Sequence, residues 1–169
     1  MVKGSKPKLT SVDFDIGIGE IIPATQEAFA ADGHDKALRT EEKQAVILFK
    51  KAFLGDLESQ LLATSGFPTS SEVFVFVLQF FTSEKDYKRR DVDNMAKTVL
   101  DVLKSKIYQD DGQVRTLLIG KKMVDQRVDQ NFAYIAIKIL KNDREVDALQ
   151  ISGLERAITL FQSLKPKGI

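Results

Sequence analysis

The stretch EVFVFVLQFF, Glu72 to Phe81, constrains the fold more than any other part of the chain. Valines fill one set of alternate positions, and phenylalanine and leucine fill the other. A strand that is apolar on both faces is typical of the centre of a sheet that is covered on both sides. A membrane helix would need roughly 20 apolar residues, about twice this run. The pattern therefore predicts a soluble protein built around a central strand over Glu72–Thr82.

Six further segments show the periodicity of a strand or of a helix. The predicted strands are SVDFDIGIG, QVRTLLIGKKMV and NFAYIAIKIL, and the predicted helices are TEEKQAVILFKKAFLGDLESQLLA, a segment from Asp91 or Asp93 to about Ile107, and ALQISGLERAITLFQSLKP. Residues 20–39 are predicted to be mostly loop, with Thr40 as the N-cap of the first helix. The short link DQRVDQ predicts that the last two strands are antiparallel neighbours. The predicted order is β-α-β-α-β-β-α, a mixed sheet with packed helices in the α/β (α+β) class.

Length and composition bound the domain organisation. The chain has 169 residues, which fits one domain with short extensions. We predict a basic tail over residues 1–10, a main domain over 11–145, and a C-terminal helix over 146–169 that packs on the same domain. The tail lacks the apolar run of a secretory signal. A cytoplasmic protein with no membrane association is therefore expected.

Charge and residue usage exclude several kinds of site. The net charge of +1 gives no overall field that would favour nucleic acid. The absence of cysteine excludes disulfides and zinc sites built from thiolates. The lone histidine, His34, lies in a loop-like stretch and does not indicate a site centred on histidine. Any nucleic-acid site must therefore come from the local placement of charges.

The stretch YKRRDVDNMAK contains an acidic pair, Asp91 and Asp93, where the central strand gives way to a predicted helix. Two carboxylates at such a junction suit a hard cation such as Mg²⁺, which would also offset their mutual repulsion. On the helix, Asp93, Lys97 and Asp101 follow one another at four-residue spacing. Taken alone, that spacing is more typical of a solvated stripe of ion pairs, but the position of Asp91 at the junction favours a functional site.

Basic residues precede the acidic pair. Lys85, Lys88, Arg89 and Arg90 can contact backbone phosphates without reading sequence. Taken alone, such a cluster is typical of a charged surface loop. An acidic pair bordered by basic residues favours an enzyme that holds a polyanion while a metal promotes attack on a phosphodiester.

The stretch RRDVDNMAKTVLDVL, followed by YQDDGQV, resembles the RusA family of Holliday-junction resolvases. The family pattern is an Arg-rich run, D-x-D-N, a lysine, D-x-L, and then an aromatic residue and D-D-x-Q. The resemblance covers roughly Glu72 to Leu140. It implies a RusA-like fold and a homodimeric, Mg²⁺-dependent endonuclease, with Mn²⁺ able to substitute. Such an enzyme cuts four-way DNA junctions by paired symmetric nicks in recombination and repair.

The resemblance also assigns roles to particular residues. It implies that Asp91, Asp93 and Asp111 are the essential metal-binding aspartates and that Lys97 is the essential lysine. Asn94, Asp101 and Asp110 are expected to support the site. The chain departs from the family in having one proline in GIGEIIPATQEAF, a slightly short segment between the D-x-L and D-D-x-Q motifs, and a last helix without a counterpart.

The expected positions of the aspartates raise a geometric problem. A helix from Val92 to Ile107 is roughly 24 Å long, and the residues from Tyr108 to Asp111 can return only about 13 Å. Asp111 then cannot easily join Asp91 in one chain. Antiparallel packing of two such helices about a two-fold axis would form composite sites at a dimer interface. A kinked or shorter helix is the alternative.

Two other functions are compatible with parts of the pattern. Phosphatases with an aspartyl nucleophile and some sugar transferases also use Asp-x-Asp. The phosphatase motif directly follows a strand, however, whereas here Ser83 to Arg90 intervene. A non-catalytic module that binds branched DNA would keep the basic residues, but the matching acidic residues are all present, which argues against it.

Overall fold

A computed structural model describes residues 12–24, 36–124 and 129–141. The elements are β1 (Phe14–Ile18), α1 (Lys36–Leu61), β2 (Glu72–Phe81), α2 (Glu84–Arg89), α3 (Val92–Leu103), a 3₁₀ turn (Asp111–Gln113), β3 (Val114–Met123) and β4 (Phe132–Leu140). The predicted α+β class with a mixed sheet is confirmed. The basic tail, His34 and the predicted C-terminal helix lie outside the described residues. Within the described ranges, no helix combines the length and apolarity needed to span a membrane.

The sheet has the order β1-β4-β2-β3. β2 is central, as its sequence predicts, because it pairs antiparallel with β4 and parallel with β3. The prediction that β3 and β4 are neighbours is wrong. β4 is almost as apolar as β2 and is buried between β1 and β2, whereas β3 carries Lys121 and Lys122 and forms an edge, where charged residues are tolerated.

The main core lies between one face of the sheet and the helices α1 and α3. Phe49, Phe53 and Leu57 of α1 and Met95 and Val99 of α3 are buried there. Their spacing of three or four residues places them on one side of each helix. Alternate residues of the four strands complete this core, which fixes α3 across the sheet.

The observed start of α1 corrects the predicted one. The helix begins at Lys36 rather than after Thr40, so Thr40 lies within the helix and is not its N-cap. The residues KALR that precede Thr40 are mostly good helix formers and extend the helix toward the N-terminus. The prediction that residues 20–39 are mostly loop is therefore wrong for residues 36–39.

The observed end of α3 corrects a second boundary. The helix ends at Leu103, not at Ile107, and Ser105 has a φ of 71°, in the left-handed region. The chain then folds into a turn in which Ile107 and Tyr108 are fully buried. Ile107 packs into the same core as the apolar residues of α3. Its position in the sequence therefore fits helical spacing, although its backbone is not part of the helix.

The helix α2 was not predicted. Its six residues follow Ser83, whose hydroxyl oxygen accepts a hydrogen bond from the backbone N–H of Asp86. None of them is buried, so the segment has no apolar stripe to mark it as helical. Acidic residues near its start and basic residues at its end suit the helix dipole.

Candidate metal and DNA site

The acidic pair lies at the N-terminus of α3. Asp91 is the N-cap residue, with extended backbone angles, and Asp93 lies in the first helical turn. Both residues are exposed. An N-cap aspartate usually accepts a hydrogen bond from the first turn, but the Asp91 carboxylate makes none. Its oxygens are therefore not consumed by helix capping.

The pair fits a hard divalent cation, but only as part of a ligand set. Carboxylate oxygens are the ligands that Mg²⁺ prefers, and it commonly binds one or two carboxylates plus water and substrate phosphate. Among the described residues of one chain, no group of three or more acidic or histidine residues could hold a metal ion. Asp91 and Asp93 can therefore supply two carboxylates, and water, substrate phosphate or a further protein ligand would complete the set.

Asp111 lies at the opposite end of α3. Its carboxylate forms an ion pair with Lys104, with 3.0 Å between Nζ and Oδ2. The hydrogen bond and the charge of Asp111 raise the pKa of Lys104. Asp91 and Lys104 flank a helix of 12 residues, which is about 18 Å long. The helix is shorter than predicted, yet Asp111 does not join Asp91 within one chain.

The D-D-x-Q motif forms a compact cap around Asp111. The Asp110 carboxylate accepts a hydrogen bond from the N–H of Gly112 at 2.8 Å, and the Gln113 side chain accepts from the N–H of Asp110 at 2.9 Å. The Gln113 amide nitrogen donates to the carbonyls of Thr69 and Ser71. These bonds fix the backbone that carries Asp111, and its side chain is exposed.

The other predicted residues of α3 have separate surroundings. Lys97 is exposed, one turn after Asp93. Asp101 accepts a hydrogen bond from Lys50 of α1, with 2.6 Å between the charged atoms, so this carboxylate ties α1 to α3. The carbonyl of Asn94 accepts a hydrogen bond from the hydroxyl of Thr98.

The basic residues lie on and just after α2. Lys85, Lys88 and Arg89 are exposed. Lys88 pairs with Glu84 at 2.6 Å, but both side chains are 71% exposed, so the pair contributes little. Arg90 is half-buried, and its Nε has no hydrogen-bond partner among the described residues. Helix α2 therefore presents three cations directly before Asp91.

Lys121 joins the two helices of the site and was not singled out in the sequence. Its ammonium donates hydrogen bonds of 2.7 Å to the carbonyls of Tyr87 and Arg90, and lies 4.5 Å from the centre of the Tyr87 ring. It thus satisfies carbonyls at the end of α2, one residue before Asp91. The sequence did contain a signal for this role. Lys121 is a lysine in a largely apolar strand, and it shares its alternate positions with Leu117 and Ile119, which face the helices.

Gln79 is a second positioning residue that the sequence analysis missed. It is fully buried in β2 and accepts a hydrogen bond from the N–H of Ile22 at 2.9 Å. Its amide nitrogen donates to the carbonyls of Glu20 and Phe132. One residue after Ile22, the Pro23 carbonyl accepts a hydrogen bond from Thr98 of α3. The segment after β1 is thereby held against the sheet and α3.

A protein-family model described as Endodeoxyribonuclease RusA matches residues 19–150 of the chain. The match spans well over half of the sequence and includes every candidate site residue. A search of curated proteins found no match. The structure also separates the motif from that of aspartyl phosphatases, because α2 lies between the end of β2 and Asp91.

Proposed function

The chain belongs to the RusA endodeoxyribonuclease family, and from that premise we propose that it is a Mg²⁺-dependent nuclease that resolves four-way DNA junctions by paired symmetric nicks. The family implies the nuclease activity on Holliday junctions. This proposal also includes the choice of Mg²⁺, with Mn²⁺ as a substitute, the homodimer, and the role in recombination and repair. The observation that carries it is the exposed pair Asp91 and Asp93, which directly follows the cationic helix α2. A cytoplasmic location suits a DNA substrate and stays a prediction.

We assign the metal to Asp91 and Asp93 of one subunit together with Asp111 of the second subunit. When bound, the metal would polarise the scissile phosphate and lower the pKa of an attacking water. Lys97 follows Asp93 by one helical turn and would stabilise negative charge that develops on the phosphate. Lys85, Lys88 and Arg89 would hold the flanking backbone phosphates without reading sequence. The half-buried Arg90 would add a further positive charge directly before Asp91.

The position of β3 supports a composite site. Among the described residues, β3 is an edge strand of ten residues, and its outer edge can pair with the same edge of a second copy about a two-fold axis. In antiparallel pairing, the start of one β3, next to Asp111, approaches the end of the other, where Lys121 contacts the residue before Asp91. Each dimer would then contain two sites, which suits a substrate with two symmetry-related strands to cut.

Cleavage of a labelled mobile four-way junction in Mg²⁺, beside a linear duplex of the same sequence, tests the activity. We expect paired nicks in the junction alone, lost on chelation and in Asp93→Asn. Junction binding without nicks in either Mg²⁺ or Mn²⁺ would overturn the nuclease and support a non-catalytic module for branched DNA. Cleavage of small phosphate esters without junction cleavage would indicate another phosphotransfer enzyme that uses Asp-x-Asp.

A mixture of inactive variants tests the composite site. Combining Asp91→Asn subunits with Asp111→Asn subunits leaves one site of the mixed dimer with all three carboxylates, so nicking should return. Combining Asp91→Asn with Asp93→Asn is the matched control, because each site then keeps a defect and should stay inactive. If both mixtures are equally inactive although subunits exchange, the aspartates of a site come from one chain and the composite arrangement is wrong.

A further inference from the structure

The second face of the sheet, opposite to α1 and α3, is strongly apolar. It presents Phe74, Phe76, Phe80, Leu118, Phe132 and Leu140. Among the described residues, the cluster on this face consists of strand residues alone. Phe132 is 40% exposed. Its ring lies against Gly17 on the same face, where an added Cβ would approach it to 2.8 Å.

An apolar face of this kind requires a cover, and its charges argue against DNA. A sheet with large aromatic residues on both faces gains stability by burying both. Aromatic residues can also stack on nucleic-acid bases, but such surfaces are bordered by cations. Here Asp15 accepts a hydrogen bond from Tyr134, Lys138 is paired with Asp13 at 3.3 Å, and the exposed Lys122 lies at the edge of the face, at the end of β3. The acidic residues favour an apolar protein segment as the occupant.

The position where the described chain ends identifies that segment. β4 ends at Leu140, which pairs with Glu72 at the start of β2, and the Leu140 side chain belongs to this face. Residues 142–169 follow directly. They contain the predicted helix 148–166, whose apolar face consists of Leu149, Leu154, Ile158, Phe161 and Leu164.

The lengths agree with a helix that crosses this face. Nineteen helical residues span roughly 28 Å, and the ten residues of β2 span about 33 Å. Residues 142–147 provide a connection of ordinary length. We propose that residues 142–169 pack in cis over the second face of the sheet, so that the domain has helices on both sides of the sheet. This proposal does not depend on the nuclease activity.

Cross-linking in the full chain tests this arrangement, because the protein has no cysteine. In Leu118→Cys with Ile158→Cys, the two new thiols are the only ones, and a short bismaleimide should join them within one chain. A cross-link at monomer mass, located by mass spectrometry of the digested protein, is the expected result. The pair Ser59→Cys with Ile158→Cys is the control, because Ser59 is exposed on α1, on the other side of the sheet.

A second pair avoids the core. Lys122→Cys with Leu164→Cys joins the exposed end of β3 to the end of the predicted helix, and Lys122 is not buried. Monomer-mass products from both pairs, without one from the control pair, support the proposal. Products only at dimer mass would mean that a second copy of the chain covers this face. The absence of any specific product would mean that the C-terminal segment does not cover it. Either result overturns the proposal, and junction cleavage can be measured independently.

Discussion

The ammonium of Lys104 lies 3.0 Å from the carboxylate of Asp111 and holds it at the C-terminal end of α3. Asp91 is the N-cap residue at the other end of the same helix, which is about 18 Å long. One metal ion cannot bind carboxylates that are this far apart. We therefore predict that the D-D-x-Q motif serves the D-x-D motif across a subunit boundary, with Asp111 leaving its exposed pair with Lys104 to bind the metal.

We first predict that the two members of this ion pair differ in function although they contribute similarly to stability. Both side chains are substantially exposed, at 42% and 63%, so solvent screens the pair and it should contribute little to stability. Lys104→Gln and Asp111→Asn should each leave the free energy of unfolding in urea nearly unchanged. Only Asp111→Asn should lose junction nicking. Equal loss of nicking in Lys104→Gln would show that the ion pair, rather than the Asp111 carboxylate, is required.

Lys121 gives a second prediction. Lys121→Met removes a charged donor from two carbonyls at the junction of α2 and α3, which should lower the free energy of unfolding by about 2 kcal/mol. Nicking should also fall at temperatures where the variant is folded, because the backbone before Asp91 is no longer fixed. Chemical unfolding and junction cleavage measure the two effects.

The neighbouring lysine is the matched control for this substitution. Lys122 is exposed, so Lys122→Met removes the same charge from the same strand and should change stability by no more than about 0.5 kcal/mol. If the two methionine variants behave alike, the bonds from Lys121 to the backbone carbonyls do not stabilise the site, and only net charge matters.

A third prediction concerns Gln79. Gln79→Leu preserves the approximate volume but leaves the Ile22 N–H and three carbonyls without their buried partner, which should destabilise the protein by about 3 kcal/mol. Exchange of the Ile22 amide hydrogen should become faster. The exposed Gln60→Leu serves as the control and should leave both unchanged. Unchanged exchange at Ile22 in Gln79→Leu would mean that other contacts hold this segment.

Local patterns predicted the elements better than their arrangement. The two apolar faces of β2 identified it as the central strand, because burial on both sides leaves a direct mark in the sequence. Periodicity identifies a strand but not its neighbours, so the insertion of β4 between β1 and β2 was not visible. The end of α3 was misjudged because Ile107 keeps helical spacing although Ser105 turns the chain.

The candidate site was predictable where its residues are close in sequence. Asp91, Asp93 and Lys97 lie within two turns of one helix, so their spacing alone suggests a shared role. Lys121 became recognisable only from the pairing of β3 with β2, which brings it under the end of α2. The separation of Asp111 from the acidic pair was inferred from a helix ending at Ile107, whereas α3 ends at Leu103, and their combination across two subunits stays a prediction.

The last prediction concerns alkaline pH and Tyr108. Burial, with smaller effects from Asp111 and Asp101, raises the pKa of the Tyr108 phenol, whose hydroxyl donates to the Leu100 carbonyl at 3.1 Å. The unfolded chain ionises this group near pH 10, while the folded protein keeps it protonated. Its contribution to stability is therefore complete below about pH 10 and decreases as the pH rises further.

Tyr108→Phe should lose about 1 kcal/mol at neutral pH through the missing hydrogen bond, and its stability should fall less steeply above about pH 10. The raised pKa of Lys104 acts in the same direction in both proteins, so it largely cancels in the comparison. Urea unfolding of both proteins at intervals from about pH 8 to about pH 11 measures the difference, and parallel curves would show that Tyr108 is not the group responsible.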